Sequence, residues 1–219
     1  MTNYIYVTLP TGSGKTTTLY SLLNENAHLY QRNVISLEDP IEKTQENVLQ
    51  IQVNEKAGIT YSTGLKAILR HDPDIIMVGE IRDKETAHIA IRASLTGHLV
   101  LSTMHTRDAK GAIHRLLEFG IKETEIEQTL IAITAQRLVE MVCPFCDKDC
   151  SPNCYRLDNR LKRSTVFEMI TGRMISDILY NRTETKRANY KSLGDIICKG
   201  IALGYIKKGE YERWIYDEK

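Results

Sequence analysis

The sequence has no long apolar run. None of its 219 residues falls in a window approaching the ~20 apolar residues that a membrane-spanning helix needs. The opening stretch, MTNYIYVTLPTG, lacks the shape of a signal peptide. These absences point to the cytoplasm. An excess of one charge is missing too, with 29 Lys and Arg against 28 Asp and Glu. The resulting net charge of +1 excludes bulk electrostatic binding of nucleic acid, and no direct nucleic-acid contact is expected. There is no internal repeat and no low-complexity tract. Hydrophobic residues make up 42% and charged residues 26%, which excludes disorder for most of the chain.

What is present divides near a cysteine cluster. Before it, apolar runs at Tyr4–Leu9, Val34–Leu37, Ile75–Val78 and Leu99–Met104 read as buried strands of a mostly parallel sheet. Val48–Val53 alternates, as an edge strand or hairpin arm does. Ala87, Ala90, Ile91, Ser94 and Leu95 share one helix face, as do Ala109, Ala112, Ile113, Leu116 and Leu117. Ile126–Leu138 reads as a third helical stretch. This alternation gives an α/β fold with crossover helices. After Cys154 the spacing suggests helices near 175–181, 193–202 and 210–216, a small helical subdomain.

The strongest local signal is Leu9-Pro10-Thr11-Gly12-Ser13-Gly14-Lys15-Thr16, set between an apolar run and the helix-compatible stretch Thr17–Leu23. Strand, glycine turn and helix start make a phosphate loop. Glycines let backbone N–H groups turn toward phosphate oxygens, and the helix N-terminus adds its positive end. Lys15 can reach the outer phosphates of ATP, and Thr16 can ligate magnesium. Leu9 stands where the strict pattern has glycine. Either that position only enters the loop and tolerates leucine, or the turn is impaired.

Acidic groups for magnesium and water belong at the C-terminal ends of such strands. Glu38, Asp39 and Glu42 follow one run; Glu80 follows another, with Arg82 and Asp83 just beyond. Four apolar residues ending in an acid fit a Walker B strand, but Gly79 replaces the usual aspartate, so Glu80 would hold magnesium through water. Asp83 suits the N-cap of the following helix. His98 precedes the run Leu99–Met104 and His105 follows it, so the two cannot share one end of that strand. His105 falls on the ligand side, where an imidazole can contact a γ-phosphate.

Four of the five cysteines, Cys143, Cys146, Cys150 and Cys154, crowd into twelve residues. In a cytoplasmic protein such spacing suggests metal more than disulfides, and four thiolates can close a tetrahedral zinc site. Reduced free thiols are the alternative.

In order, TGSGKTTTLYSLL, ISLEDPIE, LRHDPDIIMVGEIRD, TGHLVLSTMHT and AQRLV followed by CPFC resemble the secretion and pilus ATPases, the hexameric motors of type II secretion and type IV pili. The resemblance runs from about Ile5 to Cys154. It implies a RecA-like P-loop core over residues 1–142, a cysteine-rich metal element over 143–154 and a helical C-terminal subdomain over 155–219. It also implies that residues 11–17, Thr11, Gly12, Ser13, Gly14, Lys15, Thr16 and Thr17, hold the nucleotide, with Glu38, Asp39, Arg82 and His98 at the site. Glu42 is implied to activate water, with Glu80 and His105 as its catalytic companions. The expected cofactors are ATP, magnesium and zinc. The expected partners are identical subunits in a hexamer and a polytopic inner-membrane platform protein, with the motor held at the cytoplasmic face of the membrane.

The cysteine element marks the assembly motors. Its compact form here, followed by RSTVFEMI, resembles the competence-pilus ATPases that power the pseudopilus of DNA uptake. The chain starts eight residues before Leu9, so the family's N-terminal sensor domain, which supplies arginines to a neighbour, is expected to be absent from it. A nucleotide-binding assembly module with little hydrolysis is therefore the competing reading. A small-molecule kinase shares the phosphate loop but leaves the histidines, Gly79-Glu80 and the cysteines unexplained.

Overall fold

The computed structural model describes residues 3–8, 14–143, 145, 146, 154, 162–180 and 190–214, with backbone alone for 3–8, 15 and 28–30. The apolar runs form β1 (Asn3–Thr8), β2 (Val34–Glu38), β4 (Ile75–Val78) and β5 (Leu99–Met104). The alternating segment forms β3 (Leu49–Gln52) at one sheet edge. With β6 (Leu130–Glu140) and β7 (Arg163–Thr171) the described residues make a seven-stranded sheet in the order β3-β2-β4-β5-β1-β6-β7. All neighbours pair in parallel except β6 and β7.

Burial on both faces explains the unbroken apolar runs in β2 and β4. On one face α1 (Lys15–Tyr30) sets Leu19, Leu23 and Ala27 against Val34, Ile75, Met77 and Leu101. The other face carries α2 (Tyr61–Ile68), α3 (Lys84–Leu95) and α4 (Ala109–Glu118), which bury Ile35, Leu37, Ile76 and Val78. Asp83 N-caps α3 by accepting from Thr86 N at 2.8 Å, and Asp108 caps α4 through Gly111 N at 2.6 Å. Among the described residues no helix is long and apolar enough to cross a membrane.

Two expectations need correction. Ile126–Leu138 is not one helix: α5 (Glu123–Thr129) stops and the chain continues as β6. The sheet decides this, because β6 fills the free side of β1 and then pairs with β7. Nor is the segment after the cysteines purely helical, since β7 completes the core sheet. Its remaining described elements are α6 (Arg173–Leu179), α7 (Leu193–Ala202) and α8 (Gly209–Trp214).

A buried carboxylate joins these parts. Glu168 of β7 is 1% exposed. It accepts from Ala109 N at 3.0 Å and Leu193 N at 2.9 Å, the first amides of α4 and α7, and from the Tyr190 hydroxyl at 2.6 Å. Burial, then the hydrogen bond to Glu168, pushes the Tyr190 phenol up. Two helix N-termini thus share one negative charge. Glu168→Ala would strand three donors, two of them buried backbone amides, and urea unfolding should show a loss of about 3–5 kcal/mol. A loss below about 1 kcal/mol would show that the clasp is not structural.

Candidate nucleotide and metal site

Parallel strands bring their C-terminal ends to one sheet edge, where ligands of open α/β sheets bind. Here that edge gathers the ends of β1, β2, β4 and β5. Gly14 leads into α1 with φ of 91°, a left-handed conformation that favours glycine. Residues 9–13, which include Leu9, Thr11, Gly12 and Ser13, lie outside the described residues, as does the Lys15 side chain. Thr16 lines a cavity of about 130 Å³ together with Glu38, Asp39, Glu42, Tyr61 and Glu80.

Glu80 sits at the centre of the acidic set. Its side chain is 15% exposed. Oε2 accepts from Arg82 Nε at 2.8 Å, and Oε1 lies 3.0 Å from His105 Nε2. Arg82 also reaches Asp39 at 3.5 Å. The hydrogen bond to Glu80 comes first among the causes that hold the guanidinium above its ordinary value. Gly79 has a steric cause: a Cβ there would stand 3.2 Å from both the Leu37 carbonyl oxygen and the Tyr61 hydroxyl. The ordinary aspartate would crowd β2 and α2. Thr103 of β5 braces the same turn by donating to Gly79 O at 2.6 Å and accepting from Ile81 N at 3.0 Å.

Glu38 differs from its acidic neighbours. It is 3% exposed and receives hydrogen bonds from the Tyr20 hydroxyl, from Ser36 Oγ at 2.6 Å and from Gln50 Nε2 at 3.0 Å. Three donors match the carboxylate, so Glu38 ties α1 to β2 and β3 beside the cavity. Glu42 lines the cavity. His98 does not join this set. The rise of a strand places it roughly 23 Å from His105, at the opposite sheet edge. There its Nδ1 lies 2.9 Å from Ala93 O and 3.0 Å from Thr96 Oγ1, in the turn between α3 and β5. The strand reading had already separated the two histidines; the structure places His98 outside the cavity.

Tyr20, Tyr61 and Thr103 were not singled out in the sequence, although Tyr20 and Thr103 lie inside the quoted segments, because their roles depend on partners distant in the chain. Only the alignment of β2, β4 and β5 reveals them.

At the cysteine cluster, the sulfurs of Cys143, Cys146 and Cys154 lie within 4.8 Å of one another. Cys143 and Cys154 are buried, with sulfurs 3.6 Å apart. Tetrahedral zinc with ~2.3 Å bonds to thiolates spaces sulfurs by ~3.8 Å. The three donors therefore fit zinc. Cys150 lies outside the described residues.

Residues 2–203 match the family model for type II/IV secretion system proteins. The chain belongs to this family. It is 58% identical over 212 residues to competence protein ComGA of Bacillus subtilis strain 168, covering 96% of this chain and 59% of that protein. It is 56% identical over 142 residues to type II secretion system protein E of Aeromonas hydrophila, covering 65% of this chain and 28% of that protein. The chain thus spans under two thirds of the length of these curated relatives. Among solved structures, the pilus retraction motor PilT with bound ADP matches at a TM-score of 0.76 and 28% identity, over 94% of this chain and 59% of that one. The Legionella pneumophila ATPase DotB shares the fold at a TM-score of 0.74 and 23% identity, over 98% of this chain and 60% of that one.

The Tyr20 and Tyr61 phenols make stability fall in alkali. Burial, then the hydrogen bond to Glu38 and its charge, pushes Tyr20 from 10.0 to about 12. Burial, then the Asp39 charge, pushes Tyr61 to about 12. Folded pKa values above the unfolded ones contribute stability that is whole below pH 10 and is lost as pH climbs to about 12. Denaturant midpoints should therefore drop through that window, and Tyr20→Phe should flatten the drop. An unchanged slope in this variant would count against the Tyr20–Glu38 contact.

Proposed function

We propose that this chain binds and hydrolyses MgATP as the motor domain of a hexameric traffic ATPase. That motor would power assembly of a pseudopilus for DNA uptake, or of a type II secretion or type IV pilus fibre. The observation that supports the reading is Glu80, which lines the same cavity as Thr16 and is held by Arg82 and His105. The 58% identity to competence protein ComGA favours the DNA-uptake branch.

Residues 11–17 would cradle the phosphates, with Lys15 supplying the charge. The hard oxygens of Thr16 and Glu80 fit magnesium, which when bound would neutralise charge on the outer phosphates. Glu42 would take the proton of the attacking water. His105, held by Glu80, would contact the γ-phosphate. Asp39 orients Arg82, and Glu38 holds α1 in place. His98 has no part in this chain's own cavity. The cysteines, with Cys150 as fourth ligand, would hold zinc between β6 and the C-terminal helices. Identical subunits and a polytopic membrane platform protein at the cytoplasmic face would be the partners.

Hydrolysis by residues 1–219 alone should be slow. Arg82 is already bound to two carboxylates, and an arginine delivered from elsewhere is worth ~10³–10⁵ in rate. Lys15→Ala should weaken ATP binding by about 1.5–3 kcal/mol in calorimetry, and equal affinities would sink the nucleotide reading. Phosphate release should stay far below the ~1–10³ s⁻¹ range of ordinary enzymes; a brisk rate from this chain alone would contradict the role given to an outside arginine. Elemental analysis of protein purified without added metal should find one zinc per chain. A content near zero in reduced, folded protein would leave the cysteines as free thiols.

A further inference from the structure

The AQRLV segment lies on β6 and has no role in the chemistry above. Two consecutive polar residues in it are buried: Gln136 is 1% exposed and Arg137 3%. Successive side chains of a strand leave opposite faces. Gln136 faces α1, where its Oε1 accepts a hydrogen bond from Thr18 Oγ1 at 2.9 Å. Its Nε2 lies 2.9 Å from the point where Gly14 would carry a Cβ. Gln136 therefore packs against the last glycine of the phosphate loop and the first turn of α1.

Arg137 faces the other way. Its Nη2 donates to Arg107 O at 2.6 Å, and its guanidinium lies over the Trp214 ring of α8, 5.2 Å from the centroid. Arg107 is two residues beyond His105, in the turn that leads from β5 into α4. One strand thus contacts Gly14 and Thr18 from one face and the turn after His105 from the other. It is a stiff support, because β6 is paired with β1 on one side and β7 on the other.

We propose that Gln136 and Arg137 are positioning residues that set the phosphate loop in register with the His105 turn. Neither lines the cavity that holds Glu80. Gln136 limits where the Gly14 end of the loop can go. Arg137 limits where the His105 turn can go, and links that turn through Trp214 to the C-terminal helices. This inference rests on the nucleotide reading above.

The test uses residues 1–219 in wild-type form and as Gln136→Leu, Thr18→Val, their double variant, and Arg137→Lys. The readouts are affinity for a fluorescent ADP analogue, single-turnover phosphate release with protein in excess, and the thermal midpoint. Gln136→Leu and Thr18→Val should each weaken binding about five- to tenfold, the size of one lost hydrogen bond. The double variant should be no weaker than the worse single one, because both remove the same contact. Arg137→Lys keeps the charge but loses the planar fork, and should slow phosphate release about tenfold at unchanged affinity. Lower midpoints with wild-type affinity and rate in the folded variants would overturn the proposal. If Arg137→Lys does not fold, the Gln136–Thr18 pair decides alone. Failure of the wild type to bind would instead overturn the nucleotide reading, whereas tight wild-type binding with an unaltered Gln136→Leu overturns only the positioning role.

Discussion

The carboxylate of Glu80, gripped by Arg82 on one oxygen and faced by His105 on the other, is the constraint on which the site depends. It fixes one carboxylate at the end of β4, where Glu80 lines the cavity. To reach that point the chain must pass between β2 and β5 with no side chain at Gly79, because a Cβ there would meet the Leu37 carbonyl and the Tyr61 hydroxyl. Thr103 then secures the turn from β5. An aspartate in the ordinary Walker B position would crowd this close approach. The Gly79-Glu80 ending is thus a consequence of packing as well as of chemistry.

Around that point the sheet does most of the positioning. β5 stands between β4 and β1, so the acid strand and the phosphate-loop strand each flank the strand that delivers His105. Glu38, saturated by Tyr20, Ser36 and Gln50, locks the loop-bearing helix to the acidic strand beside it. On the far side, Glu168 brings α4 and α7 together at their N-termini, so the C-terminal residues are built into the core. Two buried carboxylates, Glu38 and Glu168, thus each draw donors from more than one element.

Much of this was legible in the sequence. Short apolar runs located β1, β2, β4 and β5, because strands covered on both faces need no alternation. An acid after an apolar run marked Glu80, which lines the cavity together with Thr16. Less was legible where partners distant in sequence decide. LIAITAQRLVE carries residues at home in a helix, yet lies as β6 because β1 and β7 offer it a ladder on each side. RSTVFEMIT is rich in β-branched and aromatic residues, a strand signal that was not read, and it lies as β7 against β6. The roles of Tyr20, Tyr61 and Gln136 depend on what faces them across the fold, which spacing along one chain does not reveal. His98 shows the reverse case: strand geometry alone placed it at the far edge, and family resemblance drew it toward the site.

The central claim is that Glu80 is the group through which this chain takes magnesium with its nucleotide. Calorimetry of ADP binding, with and without magnesium, to the wild type and to Glu80→Gln tests it most directly. The account predicts that magnesium tightens binding to the wild type and that Glu80→Gln loses this gain while keeping the metal-free affinity. An equal gain from magnesium in both proteins would contradict it.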